Sequence, residues 1–125
     1  MPAQSKTIEI TQVAAHAVIE KLATDVIAID LSDQLVLSEI FLIATGHNVA
    51  QVDAIADEVA RKMAEIGEKP ARREHGAEWI LLDYSDLVVQ IQSSVLRRYY
   101  MLDKLWNDCP MIELDAVKAA ALHGR

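Results

Sequence analysis

The run Trp79-Ile80-Leu81-Leu82-Asp83-Tyr84-Ser85-Asp86-Leu87-Val88-Val89 constrains this chain more than any other stretch. It reads as two short strands joined by a tight acidic turn, because strand-forming residues flank a Tyr-Ser-Asp break. Apolar residues occupy both faces of these runs, so one face is core and the other is either core too or a surface for a partner. With a period of two, Trp79, Leu81 and Asp83 share one face, and Ile80 and Leu82 the other. If Ile80 and Leu82 point inward, Trp79 and Leu81 stand outward beside Asp83. Such a row resembles an interface hot spot, where truncating a tryptophan costs about 2 kcal/mol or more. If both faces are covered, Trp79 lies under a helix. The pattern alone leaves both arrangements open.

Around this pair the elements follow from periodicity. Ile10, Val13, Ala14, Ala17 and Val18 form a stripe that predicts a core-facing helix from about Ile8 to Ala23, with Thr7 as N-cap. Val26 to Leu31 predicts an interior strand, Ser32-Asp33-Gln34 a turn, and Ile40 to Thr45 a second strand ending at Gly46. A second helix starts after Asn48 and carries Val49, Val52, Ile55, Ala56, Val59, Met63 and Ile66 on one side. Gln51, Asp53, Asp57, Glu58, Arg61, Lys62 and Glu65 take the other side, and Gly67 closes the helix. Ala71 to Glu74 is a basic strand before a turn at His75-Gly76. A short helix begins near Ser93 or Ser94 and includes Arg97 to Met101, with Leu102 to Trp106 continuing it or packing beside it. The expectation is an α/β fold, a mixed sheet flanked by helices in a single domain over residues 1–110. Residues 111–125 are expected to be a loosely held tail with at most a turn or two of helix.

At 125 residues the chain can build one core without disulfides or metal. Its net charge of −7 argues against gripping nucleic acid through phosphates, which needs a basic face; a basic protein surface would instead be attracted. The single cysteine, Cys109, excludes an internal disulfide and fits a reducing compartment. The N-terminal stretch lacks a signal-like apolar core and no apolar run is long enough to span a membrane, so the expected location is the cytoplasm.

Signals for chemistry are sparse. The chain has no phosphate-binding glycine motif and no paired Cys or His spacing, so no catalytic residue, metal site or cofactor is expected. Thr45-Gly46-His47-Asn48 lies at a strand-to-helix junction where backbone N–H groups can hold an anion, a property many such junctions share. His16, His47, His75 and His123 read as ordinary surface histidines. Asp83 and Asp86 read as turn and recognition residues rather than an acid–base pair. Cys109, before Pro110, reads as an incidental thiol. The basic knots Lys69-Arg72-Arg73 and Arg97-Arg98 read as solvated surface, with at most a local ion pair across an interface.

Several segments together resemble the ribosomal silencing factor family, also called the Iojap family. They are residues 25–31 (DVIAIDL), 37–46 (LSEIFLIATG), 51–59 (QVDAIADEV), 79–86 (WILLDYSD) and 98–106 (RYYMLDKLW). They occur in the family's order and span roughly residues 10 to 110. The resemblance implies a nucleotidyltransferase-like fold and a role in translation. It implies binding to the large ribosomal subunit through protein uL14, a basic protein on the face that meets the small subunit. Occupying that face would block subunit joining and damp translation when nutrients are scarce. It further implies a homodimer away from the ribosome. By matching the family's contact motif, Trp79, Leu81, Asp83, Tyr84 and Asp86 are the expected partner-binding residues, with Arg73, Glu74 and Gln90 as secondary candidates.

The chain departs from the family pattern at Gln90 and Gln92, where histidine and an apolar or aromatic residue are usual, at Ala50, where arginine is frequent, and at Ser93-Ser94-Val95-Leu96, which replaces an acidic run. A nucleotidyltransferase enzyme would need a Gly-Ser loop and strand carboxylates for Mg²⁺. The chain has no Gly-Ser dipeptide. A plain dimerisation module is the remaining alternative.

Overall fold

The computed structural model describes residues 4–33, 38–100 and 109–122. In chain order the elements are α1 (Ser5–Glu20), β1 (Thr24–Asp30), β2 (Ile40–Gly46), α2 (Val49–Glu65), β3 (Arg72–His75), β4 (Trp79–Asp83), β5 (Leu87–Ser93), α3 (Ser94–Tyr100), β6 (Met111–Ile112) and α4 (Asp115–Leu122). The six strands form one sheet in the order β3-β4-β5-β2-β1-β6. Neighbours are antiparallel except β2 and β5, which run parallel across the long α2-β3-β4 connection. The expected mixed sheet flanked by helices is therefore present.

One face of the sheet packs on helices. Ala28, Ile40, Leu42, Ala44, Ile80, Leu82, Leu87, Val89 and Ile91 join Ala14, Val18, Val52, Ile55, Val59 and Met63 in one buried cluster. Truncating a fully buried leucine such as Leu82 to alanine costs about 2–5 kcal/mol, so this layer supplies most of the hold on the sheet. On the other face, Ile29, Leu31, Ile43 and Cys109 form a smaller cluster with Ile27 and Phe41 against it. That is why the central strands read as apolar on both sides.

Helix α2 follows its sequence signals closely. The Asn48 side chain accepts from Gln51 N–H at 2.8 Å, and Gly67 adopts φ +81°, a left-handed conformation that costs glycine little. Glu58 departs from its expected solvent side: it is buried and gripped by Arg61 at 2.7 and 3.1 Å. The Arg61 hydrogen bond holds its carboxyl below the ordinary value. Helix α1 starts earlier than periodicity suggested. Gln4 is the residue at its cap, and Thr7 is buried within the first turn, its carbonyl accepting from Thr11 Oγ1 at 2.7 Å. Thr7 is thus a helix residue rather than the N-cap.

Past Pro110 the chain forms the turn or two of helix expected there and, in addition, a short strand. Met111 and Ile112 add a sixth strand by pairing with Ile29 and Ala28, and α4 follows. Leu114 and Ala116 are buried, with Leu114 in the helix-side core. Gln12 of α1 clamps the connection, donating from Nε2 to Glu113 O at 2.9 Å and accepting from Asp115 N–H at 3.0 Å. Composition pointed to a loose tail because the contacts that hold residues 111–119 lie about a hundred residues away in sequence. Gln34 of the expected turn, and Met101 to Trp106 of the expected helical continuation, lie outside the described residues.

Candidate partner-binding face

Register places a continuous row on the second sheet face. Asp83 pairs with Arg72 and Val88, Leu81 with Glu74 and Gln90, and Trp79 with Gln92; in β2, Phe41, Ile43 and Thr45 lie beside Val88, Gln90 and Gln92. Directly paired residues point the same way. Along β4, Ile80 and Leu82 are buried on the helix side, while Trp79, Leu81 and Asp83 are half-buried. Of the two arrangements left open by the pattern, the one with Trp79 and Leu81 facing outward is therefore present. Val88 and Phe41 are half-buried in the same row. Alternation within β5 already put Val88 on this face; Phe41 joins it only through the parallel β2–β5 pairing.

The hairpin turn is built as its residues dictate. Tyr84 N–H donates to Leu87 O at 2.8 Å, Ser85 adopts φ +71°, and Asp83 Oδ1 accepts from Ser85 N–H at 2.8 Å. Asp83 also lies 3.4 Å from the Arg72 guanidinium. Asp86 is exposed at the tip, and its carbonyl accepts from Glu39 and Ile40 N–H at 2.8 and 3.0 Å, tying the turn to the start of β2. The Asp83 carboxylate thus does turn chemistry, whereas Asp86 ties the turn through its backbone carbonyl and is exposed beside the apolar row.

Two expected contact residues sit elsewhere. Tyr84 is only 6% exposed and packs in the helix-side core, its hydroxyl without a hydrogen-bond partner among the described residues. Burial pushes its phenol up to about 12, partly opposed by Arg73. Gln90 is likewise buried, between Leu81 and Ile43 in register. Neither presents a surface in this fold: alternation carries Tyr84 to the helix side with Ile80 and Leu82, and Gln90, although it lies in the row with Leu81 and Ile43, is covered there. Arg73 and Glu74 are exposed on the edge strand β3. Arg73 pairs with Asp57 of α2 at 3.0 Å and Arg72 with Glu74 at 3.6 Å, so this basic knot is partly neutralised within the chain.

The remaining candidates resolve as follows. His16, His47 and His75 are exposed, and no group of three metal-ligating residues occurs among the described residues. The Thr45–Asn48 junction is self-capped: His47 N–H donates to Gln51 Oε1 at 2.5 Å and Gln51 Nε2 reaches Lys21 O and Leu22 O at 2.9 and 3.2 Å. Those contacts occupy His47 N–H, one of the donors an anion at this junction would use. Cys109 is buried and unpaired. Arg97 corrects the reading of a solvated basic knot, being only 8% exposed and donating to Thr45 Oγ1 at 2.9 Å. No helix among the described residues is long and apolar enough to cross a membrane.

Known proteins match this architecture over nearly its whole length. The sequence model of the family described as "Ribosomal silencing factor during starvation" matches residues 4–124. The ribosomal silencing factor RsfS of Halalkalibacterium halodurans is 38% identical over 111 residues, 87% of this chain and 95% of that protein. RsfS of Bacillus subtilis is 37% identical, covering 85% and 92%. The chloroplastic Iojap protein of Zea mays is 32% identical over 80% of this chain and 44% of that protein. Among solved structures, a Chromobacterium violaceum protein superposes with a TM-score of 0.75 at 33% identity, covering 79% of this chain and 84% of that one. A Bacillus halodurans protein gives 0.74 at 38%, covering 85% and 98%.

Fold and sequence together define a single-domain α/β protein of the Iojap type, with a half-exposed apolar row on one sheet face. The chain belongs to the ribosomal silencing factor RsfS family.

Proposed function

We propose that this chain is a non-enzymatic repressor of translation in the cytoplasm, which binds protein uL14 of the large ribosomal subunit and blocks joining of the small subunit. The observation that carries the reading is the division of β4: Ile80 and Leu82 are committed to the core, while Trp79 and Leu81 remain half-exposed with Asp83 beside them and Asp86 at the turn tip. An indole and a leucine supply desolvated contact area, and a carboxylate rim on a chain of net charge −7 steers toward a basic partner. Steric occlusion needs affinity and bulk, with no bond made or broken. In the absence of ribosomes the same apolar row serves self-association as a homodimer. The names carried by its relatives, ribosomal silencing factors, point to the same class of partner.

Cosedimentation with separated ribosomal subunits tests this. The protein is expected to travel with the large subunit alone and to reduce the yield of joined ribosomes as its concentration rises. Trp79→Ala is expected to remove both effects while the domain stays folded. Undiminished joining under a large excess of the protein would end the proposal.

A further inference from the structure

We propose that Gly76 is the positioning residue of this face: the space left by its missing side chain seats the Trp79 indole and holds it ready for the partner. The proposal rests on the reading of Trp79 as a contact residue. The β3–β4 hairpin makes its last strand pair at His75 and Ile80 and turns through residues 76–79, with Gly76 N–H donating to Trp79 O at 2.9 Å. A Cβ built on Gly76 would lie 2.9 Å from Trp79 Cδ1, 2.6 Å from Cε2 and closer still to Nε1. Gly67 is the only glycine with a left-handed φ among the described residues, so what Gly76 provides is room rather than an unusual backbone.

A side chain at position 76 would have to move either the loop or the indole. The loop is pinned from several directions. Ser93 N–H donates to Glu78 O at 2.9 Å, Ser93 Oγ to Glu78 Oε1 at 2.8 Å, and the adjoining Ile80 is buried in the core. The indole is only half-buried, so it is the part that yields. Tryptophan is an effective anchor because a large rigid surface is placed by only two side-chain torsions, and seating it in advance removes an ordering cost from binding. Gly76 would thus act through Trp79 without touching the partner itself.

The test is a binding cycle with large ribosomal subunits on Gly76→Ala, Trp79→Phe, the double variant and Trp79→Ala. Phenylalanine lacks the pyrrole-ring atoms that crowd position 76, so the cycle isolates the contact. Gly76→Ala is expected to bind about tenfold more weakly, a typical loss for a displaced anchor, with an unfolding transition close to that of the parent. In an amide–indole NMR spectrum the Trp79 Nε1–H signal, assigned by its loss in Trp79→Phe, is expected to shift. In the Trp79→Phe background, Gly76→Ala is expected to add little. Full binding by Gly76→Ala, beside loss in Trp79→Ala, would overturn the positioning role alone. Full binding by Trp79→Ala would overturn the contact reading and this inference with it. An unfolded Gly76→Ala protein, or an equal penalty in the phenylalanine background, would assign the glycine to hairpin structure and also overturn it.

Discussion

Arg97 of α3 donates to the Thr45 hydroxyl across 2.9 Å, joining the helix to the C-terminal end of β2 in a buried position. A guanidinium withdrawn from water is retained only where polar groups receive it, and removing it leaves those groups unmet. Arg97→Ala is therefore expected to destabilise the domain by about 2–4 kcal/mol, since it both empties packed volume and strands a hydroxyl. Chemical denaturation measures the loss. A change within error would show that Arg97 is a surface residue after all, as its neighbourhood of basic residues first suggested.

Tyr84 carries a buried hydroxyl without a partner among the described residues and a phenol pushed from 10 up to about 12. Because the folded value lies above the unfolded one, the associated stability is complete below pH 10 and is lost as the pH rises through about 12. The shift corresponds to about 2–3 kcal/mol in that alkaline window. Tyr84→Phe removes the orphaned polar atom, so we expect unchanged or slightly higher stability at neutral pH, by up to about 1 kcal/mol. It should also flatten the alkaline unfolding curve and leave ribosome binding intact. Strong loss of binding in this variant would return Tyr84 to the contact surface.

Gln12 connects α1 to the segment that follows Pro110 with one donated and one accepted hydrogen bond. Gln12→Ala is expected to loosen β6 and α4 while sparing the central strands. Hydrogen exchange should speed up selectively over residues 111–119, by about thirtyfold if each of the two bonds is worth about 1 kcal/mol. Uniform acceleration across the sheet would mean that the terminal segment unfolds only with the whole domain.

Asp86 offers a cleaner electrostatic test than Asp83, whose carboxylate also holds Ser85 N–H and faces Arg72. Asp86 is exposed at the turn tip. Asp86→Lys is expected to slow association with large subunits at low salt, and the difference should shrink as salt screens the pair. Association rates across an ionic-strength series decide this; equal rates at low salt would remove charge steering from the mechanism.

The amphipathic second helix, its Asn48 cap and Gly67 stop, and the strand-turn-strand from Trp79 to Val89 were all legible in the chain itself. Each rests on interactions within a few residues: periodic apolar spacing, a capping oxygen, a glycine with a left-handed φ. Glu58 and Arg97 were misplaced for the opposite reason. A charged side chain is buried when a partner meets it, and periodicity assigns sides without knowing where ion pairs and hydroxyls will lie. Of the expected contact residues, Trp79, Leu81 and Asp83 share a face because alternation within one strand is a local property. By the same alternation Tyr84 falls on the opposite, helix-packed face with Ile80 and Leu82.

By itself, then, the sequence determined which residues share a strand face, where α2 begins and ends, and the family to which the chain belongs, because short-range spacing and segment order carry that information. Only the tertiary structure decided which face of β4 the helices would cover, that Phe41 would lie beside Val88, and that Met111 onward would complete the sheet. Those outcomes depend on elements tens of residues apart being brought together, and the free energy of that packing belongs to no single segment.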